Sequence, residues 1–349
     1  FTEEELDAYR SEFLKEGVWE GDGIHRMIPV AKSTEILYLN ETDWETFAGE
    51  TGADKEMLKT WEGLAQAAGM YYEWSGGSPF LGMNAFNDFA ALSAAQLGEG
   101  IRWTQDGPEF NYSRDTARRV WDAYYVPHIK GWYESRTYNQ DGIKSGRLMA
   151  YIGSSAGAGF FPQVVIEDEK QSHPISCQSY AYPVFQDGTP YMGQRGANMA
   201  VFSTDESHQQ AAVRFLKWFT EPEQNIRFAM ATGYLPVQEK TLESVSDPVA
   251  HVESRDNVQA VEKSIRTSFD ALENHNVYVR ETFQGSYDMD QIFSVSLENC
   301  MNADLETLKQ RMEKGESRES VERELLDEEH LNRWYETLLK EMAGKTDGQ

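Results

Sequence analysis

Apolar and polar positions alternate most legibly in two stretches of the chain. From Ser203 to Val237, Ser203 and Glu206 have the spacing of a capping box, and Ala212, Phe215, Leu216 and Phe219 then recur at helical spacing, which predicts an amphipathic helix. Thr220 and Glu223 repeat the box around Pro222. A second helix is therefore expected to carry Ile226, Ala229 and Met230 inward until Gly233 ends it as a left-handed cap. Tyr234 is displayed beyond that cap, as a core ring or as a ligand contact, and Pro236 fixes the backbone behind it. In the second stretch, Ile36, Tyr38 and Asn40 alternate with Leu37 and Leu39, the pattern of a strand buried on both faces or running between domains.

Elsewhere the pattern gives an acidic amphipathic helix over Phe1–Gly17, a turn at Trp19–Gly23 and a short strand over Ile24–Pro29. Helices are expected at Thr42–Phe47, Lys55–Gly69 and Asn84–Leu97, and one capped by Ser113 runs to Tyr125. Trp103–Asn111 reads as a hairpin-like excursion and Gln163–Pro174 as a polar loop. Arg147–Gly153 is an apolar strand running into the small residues Ser154, Ser155, Ala156 and Gly157, where a ligand can approach the backbone. From Leu242 onward only helices and links are expected, the last an acidic helix over Ser317–Met342.

Five segments resemble, in order, landmarks of the family 1 extracellular solute-binding proteins, the receptors of sugar-type ABC importers. They are Pro29–Asn40 (PVAKSTEILYLN), Lys59–Trp61, Gly146–Gly153 (GRLMAYIG), Tyr182–Ala197 (YPVFQDGTPYMGQRGA) and the region from Phe215 to the TGYLPV run at Thr232–Val237. The resemblance implies an α/β, two-lobe periplasmic-binding-protein-like fold of type II with a helix-rich second lobe. The first lobe would be built from 1–39 and 184–240 and the second from 40–183 and 241–349, with crossings at about Tyr38–Asn40 and Tyr182–Val184. Relatives begin with about two further βα units of the first lobe, so the resemblance implies a first lobe lacking its N-terminal βα units here: either those units, with an export signal, are encoded upstream of Phe1, or the chain is an unusual member whose first lobe is reduced.

Composition narrows the function. The chain has 349 residues, 40% of them hydrophobic and 12% aromatic, enough for two packed cores. Fifty-eight acidic against 32 basic side chains give a net charge of −26, which argues against a nucleic-acid partner. No apolar run is long enough to span a membrane. Seven histidines, at 25, 128, 173, 208, 251, 275 and 330, show no metal-ligand spacing, and the two cysteines, Cys177 and Cys300, are expected to be free thiols. No phosphate-loop pattern follows the small residues at 153–157, and no nucleophile elbow accompanies Ser154 or Ser155. No catalytic residue, metal or cofactor is expected, although a pair of carboxylates could always serve a glycosidase.

What remains is a binding site. The resemblance places ligand contacts at Ser33 and Thr34, Phe86 and Asn87, Ser154, Ser155 and Ala156, Gly196 and Ala197, Tyr234, Tyr287 and Asp290. It implies a carbohydrate as ligand, importer permease subunits as partners, a monomer, and a place in the periplasm or, as a lipoprotein, on the outer face of the cytoplasmic membrane. Glycerol-phosphate-binding relatives carry an arginine near the position of Asp290, so an acid there favours a neutral sugar or oligosaccharide. The alternatives are a glycoside-processing enzyme and a sugar-sensing domain without a transporter.

Overall fold

The computed structural model describes residues 1–83, 86–135, 137–166, 171–244 and 257–346. Its strands, in chain order, are β1 (Ile28–Ser33), β2 (Glu35–Asn40), β3 (Leu81–Gly82), β4 (Tyr133–Glu134), β5 (Ala150–Ser154), β6 (Cys177–Ala181), β7 (Tyr191–Met192), β8 (Arg195–Met199) and β9 (Asn276–Val277), with three short two-stranded excursions besides. The helices that frame them are α1 (Trp61–Trp74), α2 (Phe86–Gln96), α3 (Arg114–Val120), α4 (Glu206–Thr220), α5 (Pro222–Thr232), α6 (Val258–Asn274), α7 (Ser286–Glu313), α8 (Arg318–Leu325) and α9 (Glu328–Thr346).

A five-stranded sheet, ordered β6-β2-β5-β3-β4, is the main scaffold. The alternation in β2 sorts its side chains to two faces. Leu37 and Leu39 enter a large core with α1, α2, α7 and α9, while Ile36 and Tyr38 join a second core with α6, α5 and the N-terminal residues Tyr9 and Phe13. All six residues of β2 are buried, as a strand covered on both faces requires. A separate antiparallel pair, β1 with β8, carries α4 and α5.

The change from one sheet to the other occurs at Thr34, ahead of the crossing expected at Tyr38–Asn40. The backbone of β1 pairs with β8 and that of β2 with β5 and β6, so the ladder must break between them. On the return, Val184 and Thr189 donate backbone hydrogen bonds to Lys59 and Gln96, which holds that stretch to the helical side until β7 and β8 begin.

Several local expectations shift for identifiable reasons. Asp205, not Ser203, caps α4; its carboxylate accepts from the His208 backbone (3.1 Å) and from the Ser207 hydroxyl (2.7 Å). Thr220 forms no box with Glu223, because its hydroxyl is drawn inward to the Leu216 carbonyl (2.8 Å) and to Tyr9 Oη (2.6 Å). In α4 only Leu216 and Thr220 are buried, and Phe215 stands 48% exposed, so the inward face is narrower than the spacing suggested. Gly233 does end α5 in the left-handed conformation, with φ 79°. The expected final helix is two, α8 and α9, and the short strand β9 interrupts the region expected to be helical. Part of the polar loop at Gln163–Pro174 forms a small hairpin, Val164–Ile166 against Ser172–Pro174. Both cysteines are free thiols, Cys177 buried and Cys300 partly so.

Candidate ligand-binding cleft

The break at Thr34 builds the first wall. With no ladder partner, the Thr34 amide donates to Ser155 Oγ (3.3 Å) and its carbonyl accepts from the Ser155 amide (2.8 Å). One residue back, Ser154 Oγ donates to Ser33 Oγ (3.2 Å). Gly233 presses the end of α5 onto this turn: a Cβ at Gly233 would lie 3.1 Å from Ala156 Cα. The backbone of Leu235 then exchanges hydrogen bonds with Lys32, and this fixes Tyr234 beside β1. Gly196, at φ 107°, admits the Tyr234 ring, whose Cε1 would be 3.2 Å from any Cβ there. Phe228 stacks against the ring from α5, with centroids 6.3 Å apart.

Next to this cluster lies a cavity of about 340 Å³, walled by strand ends and helices from both sheets. Gly196 lines it, together with Glu35, Asp88, Arg195, Tyr278 and Arg280. These side chains form a line of alternating charge. Arg195 Nη2 meets Glu35 Oε1 at 2.9 Å and also contacts Asp88; Arg280 Nη2 lies 3.7 Å from Asp88 and its Nε 3.2 Å from Asp290. At the other side Glu16 pairs with the buried Lys32 and accepts from Asn198 Nδ2 (2.8 Å).

Burial governs the protonation of the wall. It pushes Glu35 up to about 7 against the pull of Arg195, and it raises Asp290 against Arg280. Tyr278 is pushed up to about 12, first by burial and then by the Asp290 charge, so it stays a neutral phenol. Burial lowers Lys32, opposed by Glu16. Among the described residues, Glu35 Oε2, Arg195 Nε and Gln194 Oε1 find no hydrogen-bond partner although they are buried. Such atoms can hydrogen-bond a polar guest. Among the described residues the lining holds no serine, cysteine or histidine, and its ionisable groups are carboxylates, guanidiniums and a phenol.

The family model for bacterial extracellular solute-binding proteins matches residues 3–253. This chain belongs to that family. No curated protein matches this solute-binding protein in sequence. Among solved structures it is similar to the cyclic α-maltosyl-1,6-maltose binding protein of Arthrobacter globiformis, with 16% identity, TM-score 0.62 and coverage of 97% of this chain and 78% of the other. UgpB of Mycobacterium tuberculosis in complex with glycerophosphocholine gives 18%, 0.65, 97% and 75%, and maltose-bound MalE3 of T. maritima gives 12%, 0.61, 96% and 77%. The fold is accordingly that of the periplasmic-binding-protein-like receptors, and the family and these neighbours are binding proteins. Membership in an extracellular family points to the periplasmic or outer side of the membrane. Among the described residues no helix is long and apolar enough to cross a membrane.

In this solute-binding protein Ser33, Thr34, Ser154, Ser155, Ala156, Gly196, Ala197 and Tyr234 meet in one place, although only Gly196 lines the cavity itself. Ser33, Thr34 and Ser155 are buried, and their polar groups are engaged with one another's strands. Phe86 and Asn87 open α2, but their side chains lie outside the described residues. Asp290 is paired with Arg280 and so does not present a free acid. Tyr287, in the first turn of α7, is 72% exposed. The cavity residues Glu35, Asp88, Arg195, Tyr278 and Arg280 are not among those expected from the sequence. One signal was available: an acid opening a strand otherwise buried on both faces must have a partner.

Proposed function

We propose that this protein captures a neutral sugar or short oligosaccharide in the cleft beside Thr34 and delivers it to the permease of an ABC importer. The observation that carries this reading is the internally paired polar cavity. Glu35, Asp88 and Asp290 are each held by Arg195 or Arg280, so an anion would have to displace Asp88 and a cation would have to displace an arginine. A ring bearing hydroxyls needs neither exchange. It can donate to Glu35 Oε2 and Gln194 Oε1 and accept from Arg195 Nε, while the Tyr234 ring offers an apolar face close by. The sugar-binding neighbours support the same ligand class.

In this reading the chain closes as two lobes, bending at Thr34 and at the stretch before Arg195, and the protein acts as a monomer, exported and free or lipid-anchored outside the cytoplasm. A glycan array probed with the purified chain, followed by calorimetry, identifies the ligand; glycerophosphocholine serves as the charged control. Binding of a neutral glycan, with contraction of the saturated protein in small-angle scattering, is the expected result. Preference for glycerophosphocholine would overturn the neutral-sugar reading, and the absence of contraction would overturn closure.

A glycoside-processing enzyme is the second reading, because Glu35 at about 7 is a carboxyl suited to proton donation. Against it, Glu35 and Asp88 are bound to the same guanidinium, and such a pair is not free to flank a glycosidic bond. Chromatography of the bound glycan after long incubation decides between them: it should be recovered intact, and reproducible products would end the receptor reading.

A further inference from the structure

Further along α7 from Asp290, a π-helical turn (Trp121–Tyr125) following α3, the middle of α7 and the first turn of α9 bring four unlike polar side chains to one point. Cys300 and Asp304 are four apart on α7 and so share a face of that helix. His330 approaches from α9 and Tyr125 from the π-helical turn, a local geometry often found where a side chain is re-aimed for function. Asp304 Oδ2 accepts from His330 Nε2 (2.6 Å) and Tyr125 Oη (2.7 Å), and Cys300 Sγ lies 3.5 Å from it and 3.9 Å from His330 Nε2. Among the described residues, this is the group whose thiol, imidazole and carboxylate atoms all fall within 4.8 Å of one another.

The orientation of His330 separates two chemistries. A nucleophilic triad needs the imidazole as a bridge, one nitrogen toward the thiol and the other toward the carboxylate. Here the same nitrogen, Nε2, faces both, and Nδ1 points to Arg333 (2.9 Å). Sulfur, nitrogen and oxygen therefore converge on a common point instead of forming a relay, which is the arrangement of ligands around a cation.

We propose that Cys300, Asp304 and His330 form a site for a zinc-like divalent metal ion, with the fourth position taken by water or by Tyr125. The mixed sulfur, nitrogen and oxygen set suits a borderline-soft ion and not calcium or magnesium, which take oxygen. Metal–ligand bonds of about 2.0–2.3 Å imply ligand–ligand edges of roughly 3.3–3.6 Å in a tetrahedron. The sulfur contacts, 3.5 and 3.9 Å, are already near those edges. The His330–Asp304 hydrogen bond has to open, by under about 1 Å, as the ion takes the place of the shared proton, and the Tyr125–Asp304 bond lengthens by a similar amount where Tyr125 is the fourth ligand. On binding, the thiol proton leaves to solvent as the metal–thiolate bond forms, and the imidazole proton moves to Nδ1. Arg333, 64% exposed, turns from Nδ1 toward solvent or Glu329. The two stacked rings of Trp121 and Tyr125 shield the point, and the ion would tie α7 to α9 across the large core.

Titration of the metal-stripped full chain with Co²⁺, followed by absorption, tests the site. The expected result is a thiolate-to-cobalt band in the near ultraviolet with intense visible bands of a tetrahedral ion, saturating at about one equivalent and displaced by Zn²⁺. The bands should vanish in Cys300→Ser and persist in Cys177→Ser, the other thiol; His330→Gln should bind more than about tenfold more weakly. Asp304→Asn keeps the test open if Cys300→Ser fails to fold, since it removes a ligand charge and leaves the thiol. Absence of a thiolate band in the wild type overturns the site, as does equal metal uptake by wild type and these variants, which would assign binding to surface carboxylates.

Discussion

Glu35 illustrates what a single residue decides in this molecule. Its carboxyl is buried at the point where the chain changes sheets, and its folded-state value of about 7 lies above the ordinary 4.5. The folded protein thus binds this proton more tightly than the unfolded chain, so the contribution to stability is full below about 4.5 and is lost as pH rises toward about 7. The loss amounts to on the order of 3 kcal/mol. Glu35→Gln should flatten the stability–pH curve in that window and make the ligand-free protein more stable than wild type at pH 8, as read by denaturant midpoints. An unchanged slope would mean that Arg195 keeps Glu35 ionised throughout. At this scale the sequence disclosed what depends on near neighbours. Gly233 as a left-handed cap needs only the end of its own helix, whereas the Glu35–Arg195 pair joins positions that no spacing rule connects. The same limit hid the meeting of Cys300 and Asp304 with His330.

Among the elements, α5 shows how a helix is set against a sheet. Asn225 is buried in its first turns, and its amide donates to the Val30 carbonyl (2.7 Å) while accepting from the Val237 amide (2.9 Å). The side chain therefore closes the loop between the start of α5 and the segment beyond Tyr234. Asn225→Ala would leave a buried carbonyl and a buried amide unpaired, at about 1–3 kcal/mol each. A stability loss of roughly 2–5 kcal/mol in chemical denaturation is expected, and a loss under about 0.5 kcal/mol would show that water replaces the side chain. Helical periodicity exposed α4 and α5 but could not find this tether, because an asparagine inside a helix pattern reads as surface. Periodicity also misled at Phe215, since an aromatic residue at inward spacing is buried only when another element reaches it. The strand alternation at 36–40 was more reliable: with the sheet covered on both faces, either parity ends in a core.

On the scale of the whole molecule, two cores back onto one five-stranded sheet, and the β1–β8 pair is joined to it through Thr34 and the stretch before Arg195. The two-lobe fold was legible because five landmark segments follow one another in family order, and the match over residues 3–253 accords with that reading. The candidate cleft lies beside the residues expected from the sequence, and its charged wall could not be read there because it is assembled from β2, α2, β8 and the segment preceding α7. That wall is the centre of the account. Arg280 is the member to remove, being 40% exposed and so tolerant of change, while it faces the cavity between Asp88 and Asp290. Calorimetric titration of wild type, Arg280→Met and Tyr234→Ala with the glycan found on the array is the most direct test. If the cavity holds the sugar, Arg280→Met should bind about tenfold or more weakly, and Tyr234→Ala should lose on the order of 1–3 kcal/mol, with unfolding midpoints of the ligand-free proteins close to wild type. Wild-type affinity in both variants would contradict the account, because the ligand would then sit elsewhere than the charged cavity and the tyrosine beside it.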